Sequence, residues 1–245
     1  MTENQLSHLW VYLSASPLMG LTMTLVAYSL ALMLYEKSHK NALLHPVVVA
    51  IALLILFLSL SDMSYEDYFE GGQFIHFLLG PATVALAVPL YKQFSKLKKN
   101  WLPISLALLA GVFIGAISSI VIARFSGASL ETLLSLAPKS VTVPIAMGIS
   151  EKIGGLPSLT AVLVVVTGIL GAIMGIKLFQ LMKIKDDSVK GIAMGVTAHG
   201  IGTARSFQES SEMGAFSGLA MALSAVLTAL ILPYLVTFLH WLELF

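Results

Sequence analysis

The sequence predicts an all-α polytopic membrane protein of about six to eight transmembrane helices, two of its segments broken or re-entrant, with a transporter-like internal repeat. Three observations lead there. Hydrophobic residues make up 57% of the 245 and charged ones only 11%, where a soluble domain carries about a quarter charged. Several apolar runs reach spanning length, and the alternating strand pattern of a β-barrel is absent. Two stretches, Pro138–Gly155 (PKSVTVPIAMGISEKIGG) and Gly191–Glu212 (GIAMGVTAHGIGTARSFQESSE), place charges, prolines and glycines inside that apolar background.

Taken in order, Leu18–Tyr35 reads as a first spanning helix, ended by Glu36, Lys37 and Lys40. No basic stretch precedes it, so it is expected to stay as a helix rather than be removed as a signal peptide. Pro46–Leu60 is a second, shorter span, followed by an acidic loop over Ser61–Gly72. Phe74–Tyr91 is a third apolar run, interrupted at Gly80–Pro81 and at Pro89. The basic cluster Lys92, Lys96, Lys98 and Lys99 leads into a fourth helix at Trp101–Ala123. A long helix lies within Leu156–Leu181, and Ala215–Leu239 is the last.

Lysine bias sets the orientation. Lys37, Lys40 and the lysines at 92–99 belong in the cytoplasm, which places the N-terminus outside. Lys177, Lys183, Lys185 and Lys190 fall on the same inner side only if Pro138–Gly155 dips in and returns rather than crossing. Its apolar part, about a dozen residues or roughly 18–20 Å of helix, is too short to cross alone. If 191–212 behaves alike, both termini share a side.

The whole chain, 1–245, is expected to form a single integral membrane domain. Within it, 18–73 holds the N-terminal helices, 74–124 and 138–182 are candidate repeats, and 191–240 carries the second broken segment and the last helix. The repeat is read from Pro81/Pro138, Val88-Pro89-Leu90/Val143-Pro144-Ile145 and Gly115-Ala116-Ile117/Gly171-Ala172-Ile173, at offsets of 57, 55 and 56 residues. Apolar chains rich in Gly, Ala, Val and Ile also align with themselves by composition alone.

Net charge of +1 gives no reason to expect a nucleic-acid partner, and the absence of cysteine excludes thiol catalysis and cysteine-bound metals. No G-x-S-x-G or H-E-x-x-H pattern is present, so the chain is not read as an enzyme, and neither a metal nor an organic cofactor is expected.

The candidate substrate residues are Lys139, Ser140, Thr142, His199, Thr203 and Arg205. Pro138 is read as a first helical residue, whose neighbouring backbone N–H groups attract anions, with Lys139 as a point charge; the competing reading is a lysine snorkelling to headgroups. Arg205 offers a planar fork for a carboxylate, or simply pairs with Glu209 one turn on. His199 would donate a hydrogen bond or carry a coupling proton. Glu151, Lys152 and Ser158 are candidates for coupling or gating, with Ser158 also placed to cap the following helix; alternatively Glu151 and Lys152 mark a solvated tip. Proton coupling and sodium coupling both remain open. Pro81, Pro89, Pro138, Pro144, Gly154, Gly155, Gly200 and Gly202 are the expected breaks, and Gly168, Gly171 and Gly175 suit close helix packing.

Residues 138–162 (PKSVTVPIAMGISEKIGGLPSLTAV), 195–221 (GVTAHGIGTARSFQESSEMGAFSGLAM) and 80–93 (GPATVALAVPLYKQ) resemble the signature stretches of the LrgB/CidB family of bacterial inner-membrane proteins, over essentially the whole chain. The resemblance implies a holin/antiholin-like membrane protein tied to murein hydrolase control and lysis, acting with a small LrgA/CidA-type membrane partner. It extends to the C-terminal half of the plastid glycolate/glycerate transporter and to members linked with pyruvate uptake. It therefore implies carriage of a small monocarboxylate in the lipid bilayer, by a monomer or a homo-oligomer.

Overall fold

The computed structural model describes residues 17–38, 44, 46–61, 63–78, 81, 84, 85 and 87–241. The expectations for the N-terminus, Lys40, Asp62 and Gly80 lie outside these residues. All regular structure among them is helical: α1 (Pro17–Lys37), α2 (Pro46–Ser61), α3 (Tyr65–Phe77), α4 (Ala87–Lys92), α5 (Phe94–Lys99), α6 (Trp101–Phe125), α7 (Leu130–Leu136), α8 (Val143–Ile153), α9 (Pro157–Leu181), α10 (Asp187–Glu209) and α11 (Ser211–Trp241). Four helices, α1, α6, α9 and α11, are long and apolar enough to cross a membrane, and α2 is a shorter apolar helix. The protein is an all-α, multi-pass membrane protein. Its backbone contacts divide it into two compact units, Met1–Ala85 and Leu86–Phe245.

In the first unit the expected acidic loop at 61–72 is largely helix. Ser64 Oγ accepts from the Asp67 N–H at 3.0 Å, and Glu66 and Asp67 sit in the first turn of α3, where carboxylates complement the helix dipole. Tyr68 reaches Thr24 of α1 through its hydroxyl at 2.7 Å. Gly20 lies directly against the Tyr68 carbonyl, leaving no room for a Cβ. The acidic residues open a helix that packs on α1.

In the second unit, α6 and α9 are the long spans. Each has 25 residues, about 37 Å, enough for a ~30 Å hydrocarbon core. They open at Trp101 and Pro157. Lys96, just before α6, binds Asp186, just after α9, at 3.1 Å, so the start of α6 and the end of α9 share one face, here called the Lys96 face. The segment between them therefore leaves the opposite face and comes back to it. α7 runs inward, capped by Ser129, whose side chain accepts from Thr132 N–H. Residues 137–142 turn, and α8 returns to Gly154, which caps it in the left-handed conformation (φ 90, ψ 20).

Two prolines compete to open α8. Pro144 does so, in the first turn, with extended Thr142 (φ −62, ψ 146) ahead of it. Pro138, expected at the helix start, closes the turn after α7 instead, its carbonyl accepting the Val141 N–H at 3.2 Å. Ser158 does not cap α9. Pro157 takes the first position, Leu156 is the cap residue, and its N–H is taken by Ser135 Oγ at 2.8 Å from α7. Pro89 lies within α4 rather than between helices, and Pro81 is exposed among residues mostly undescribed.

α10 is a second hairpin. At His199 the backbone takes φ 40, ψ −132, far from helical values. Ser210 Oγ donates to Asp187 Oδ2 at 2.7 Å, although a straight helix would hold those residues about 35 Å apart. The chain thus enters from the Lys96 face over 187–198, reverses, and returns over 200–209. Gly200 and Gly202, expected as the break, do not take it. Gly202 is needed for contact between the two halves, where a Cβ would stand 2.6 Å from Ala198 Cβ and 2.9 Å from the Met194 carbonyl.

Glycines seat this hairpin. A Cβ on Gly168 of α9 would meet the His199 ring at 2.6 Å, and one on Gly171 would meet Ala198 Cβ at 2.5 Å. Gly191 and Gly195 of α10 press on the carbonyls of Met213 and Ser217 in α11. The core follows the two hairpins. Val141, Ala146, Ile149, Ala116, Ile120 and Leu232 are buried together around the first. Ile192, Val196, Ile104, Leu108, Phe216 and Ala220 are buried around the second.

Candidate functional site

The two hairpins enter from opposite faces, and their tips approach each other beside the middle of α6. Pro138, Ser140 and Val141 from the first line one small cavity with Val196 of the second, Gly111 and Gly115 of α6, and Thr228 of α11. Its volume is about 10 Å³, room for about one water molecule. Lys139 donates to Ser140 Oγ at 3.2 Å, which sets a cationic group next to the lining hydroxyl. The backbone N–H groups opening α8 follow directly at Val143, with the Thr142 side chain making no cap bond to them.

His199 is the tip of the second hairpin, a few residues beyond Val196. Only 4% of it is exposed, and its Nε2 lies 3.0 Å from the Val164 carbonyl of α9. A buried, non-glycine residue with positive φ persists only where its surroundings over-determine it. Here Gly168 admits the ring and Thr203 Oγ1 donates to the His199 carbonyl at 2.9 Å. Thr203 Oγ1 also lies 3.0 Å from Ser217 Oγ of α11.

The structure thus brings Pro138, Ser140 and the approach to His199 together, with Lys139 attached through Ser140. Of the six expected substrate residues only Ser140 is in the cavity lining; Lys139, Thr142, His199, Thr203 and Arg205 are not. Arg205 lies on the returning half of α10, ion-paired with Glu209 and donating to Gln208 Oε1 at 3.0 Å. Glu151, Lys152 and Ser158 are exposed at the end of the first hairpin, away from its tip. Gly115 entered the sequence reading only through the candidate repeat, and Gly111, Val196 and Thr228 carry no sequence signal for a cavity wall.

A second feature escaped the sequence reading. Lys96 binds Glu212 at 2.6 Å as well as Asp186, joining α5, the α9–α10 linker and the start of α11. The Ser188 hydroxyl, followed by Lys96 and the backbone N–H groups of Ser188 and Val189, holds the Asp186 carboxyl down at about 2. The hydrogen bond to Glu212 raises Lys96 above the ordinary lysine value.

A family model described as the LrgB-like family matches residues 24–238. The chain belongs to the LrgB family. It is 38% identical over 221 residues to the uncharacterized protein YwbG of Bacillus subtilis (strain 168), covering 90% of this chain and 98% of that one. It is 32% identical over 223 residues to the antiholin-like protein LrgB of Bacillus cereus (strain B4264), covering 91% and 97%. The antiholin-like protein LrgB of Bacillus anthracis (strain CDC 684 / NRRL 3495) matches to the same extent, 32% over 223 residues. No solved structure matches the chain.

Proposed function

We propose that this LrgB-family protein is a secondary carrier of small monocarboxylate anions of the glycolate, glycerate or pyruvate class, working by alternating access and without enzymatic chemistry. The observation that supports it is the meeting of two re-entrant tips, one carrying Lys139–Ser140 and the start of α8, the other reversing at His199. Half-helix N-termini at mid-membrane favour a carboxylate, and hydroxyls with a nearby ammonium suit a C2–C3 acid. The cavity is closed to such an anion as it stands, so loading requires the tips to part. Thr142, Thr203 and His199 would orient the anion or carry a coupling proton, with sodium the other candidate, and Arg205 would reach it only on leaving Glu209. Glu151, Lys152 and Ser158 would flank the opening on the opposite face. The lysine-rich Lys96 face would be cytoplasmic in the bacterial inner membrane, with an LrgA/CidA-type protein as partner.

The relatives' name favours a second reading, an antiholin-like role in export and lysis control, and by likeness alone it is the better supported of the two. The purified protein in liposomes separates them. A carrier takes up glycolate or pyruvate with saturation, ignores sugars and dyes, and loses about tenfold or more in uptake on Lys139→Ala, the cost of a charge-assisted contact. Dye leakage that rises with protein concentration, unaffected by Lys139→Ala, retires the carrier and leaves the antiholin-like reading.

A further inference from the structure

Resting on that reading, we infer that the cleft between α6 and α10 is the entry vestibule for the carboxylate anion, and that the contact between Gly111 and Val196 is the gate between this vestibule and the tip cavity. The cleft has a volume of about 470 Å³ and is lined on the α6 side from Lys96 and Asn100 to Gly111. On the other side its wall runs from Asp186 to Val196 and Thr197 of the entering half of α10. It therefore descends from the Lys96 face to the depth of the tips. Its polar groups gather at the mouth, where Lys96 and Asn100 face Asp186 and Ser188, and exposed Lys92, Lys98 and Lys99 add positive charge nearby. Its deeper wall is apolar except for Thr197.

Two residues, Gly111 and Val196, line both this cleft and the Ser140 cavity beyond it. A Cβ on Gly111 would stand 2.7 Å from Val196 Cγ1, and that methyl is the nearest atom it would meet. The floor of the vestibule is thus one side-chain contact thick, with glycine on one helix and a stiff β-branched residue on the other. The ion pair of Lys96 with Asp186 joins the two walls at the mouth, and Glu212 of α11 holds Lys96 from the side.

The chain contains no cysteine, so single-cysteine variants report directly on access. Thr197→Cys reports the vestibule, and Ser140→Cys reports the far side of the gate, with Thr228→Cys as an independent reporter should Ser140→Cys fail to insert. Each is reacted with a membrane-impermeant methanethiosulfonate sulfonate in inside-out and right-side-out vesicles, and rates are compared in the orientation that labels Thr197→Cys. The far-side reporters should react about tenfold or more slowly than Thr197→Cys, as expected for a site reached only through local opening. Val196→Ala should speed them by about tenfold while leaving Thr197→Cys within about twofold. Gly111→Ala should slow them, and Gly111→Ala with Val196→Ala should restore the original rate.

Far-side reporters that react as fast as Thr197→Cys with both gate residues intact, or that ignore Val196→Ala, overturn the gate. No labelling of Thr197→Cys in either orientation means that lipid or another helix fills the cleft, and overturns the vestibule. Saturable uptake by the cysteine-free protein is measured alongside. The expected labelling without uptake removes the carrier and leaves the gate, whereas uptake with unchanged labelling removes the gate alone.

Discussion

The two hairpins solve one problem, a chain reversal inside the membrane, by opposite means. The first spreads its reversal over residues 137–142 and carries Pro138, Ser140 and Thr142, each a residue type suited to irregular backbone. The second reverses at His199 alone, in a conformation that side chains rarely adopt. Their supports differ accordingly. A knot of hydroxyls ties the first: the Thr160 hydroxyl lies 2.7 Å from Ser150 Oγ and 2.9 Å from the Ser135 carbonyl, and Ser135 Oγ accepts from Leu156 N–H. Close glycine contacts with α9 and α11 clamp the second. A diffuse turn tolerates loose packing, whereas a one-residue reversal needs rigid neighbours on both sides. The cavity lies between a polar tip, whose hairpin is tied by hydroxyls at its far end, and a packed one.

The largest expected effect breaks the packed hairpin. In Gly195→Val the new side chain meets the Ser217 carbonyl, a backbone atom that cannot swing aside. Overpacking of this kind costs about 1–3 kcal/mol or more, and a site with no relief belongs at the upper end. The matched change in the first hairpin is Gly148→Val on α8, where nothing lies within 4 Å of the added carbon. Thermal melting in detergent should show a large fall for Gly195→Val and almost none for Gly148→Val. Equal falls would erase the distinction between a glycine pressed on a neighbouring backbone and one that faces open space.

How much of this was legible follows the same division. The broken segments, the long helices at 101–125 and 157–181, and the packing role of Gly168, Gly171 and Gly175 can be read from hydropathy and residue type. The position of the second reversal cannot. Gly200 and Gly202 carry the local signal for a break, yet Gly202 serves the contact with Met194 and Ala198 and the unusual backbone falls on His199. Acidic residues misled at 65–67 because Glu and Asp open a helix as readily as they mark a loop. Lys96 read only as part of a basic cluster, since its partners stand 90 and 116 residues away. Val196 and Gly111 become a gate only once two helices are side by side.

A smaller effect tests the hydroxyl knot. Thr160→Val keeps the shape but removes the hydroxyl shared by Ser150 Oγ and the Ser135 carbonyl in a fully buried site. Loss of one such partner costs about 1–3 kcal/mol. Because Thr160 touches the first hairpin and not the second, hydrogen exchange should quicken over 143–153 while 200–209 stays protected. Parallel loss of protection in both segments would mean that the hairpins open as one unit.

The smallest effect concerns the staple at the mouth of the second hairpin, for which the first has no counterpart among the described ion pairs. Lys96, Asp186 and Glu212 have side chains 33%, 49% and 31% exposed, so each pair contributes about 0–1 kcal/mol and is screened by salt. The sign with pH follows from Asp186, whose carboxyl drops from an ordinary 3.8 to about 2. Its contribution is fully present above the ordinary value and disappears as pH falls through about 2. Lys96 is raised, so its share persists up to the ordinary 10.5 and is lost only above it. The Lys96–Asp186 pair therefore carries a constant charge state from about pH 5 to 9. The difference in thermal midpoint between wild type and Lys96→Met should stay small and flat over that range, shrink in high salt, and vanish only in strong acid. A difference that changes across pH 6–8 would mean that another titrating group, from an element packed nearby, governs the closure of the mouth.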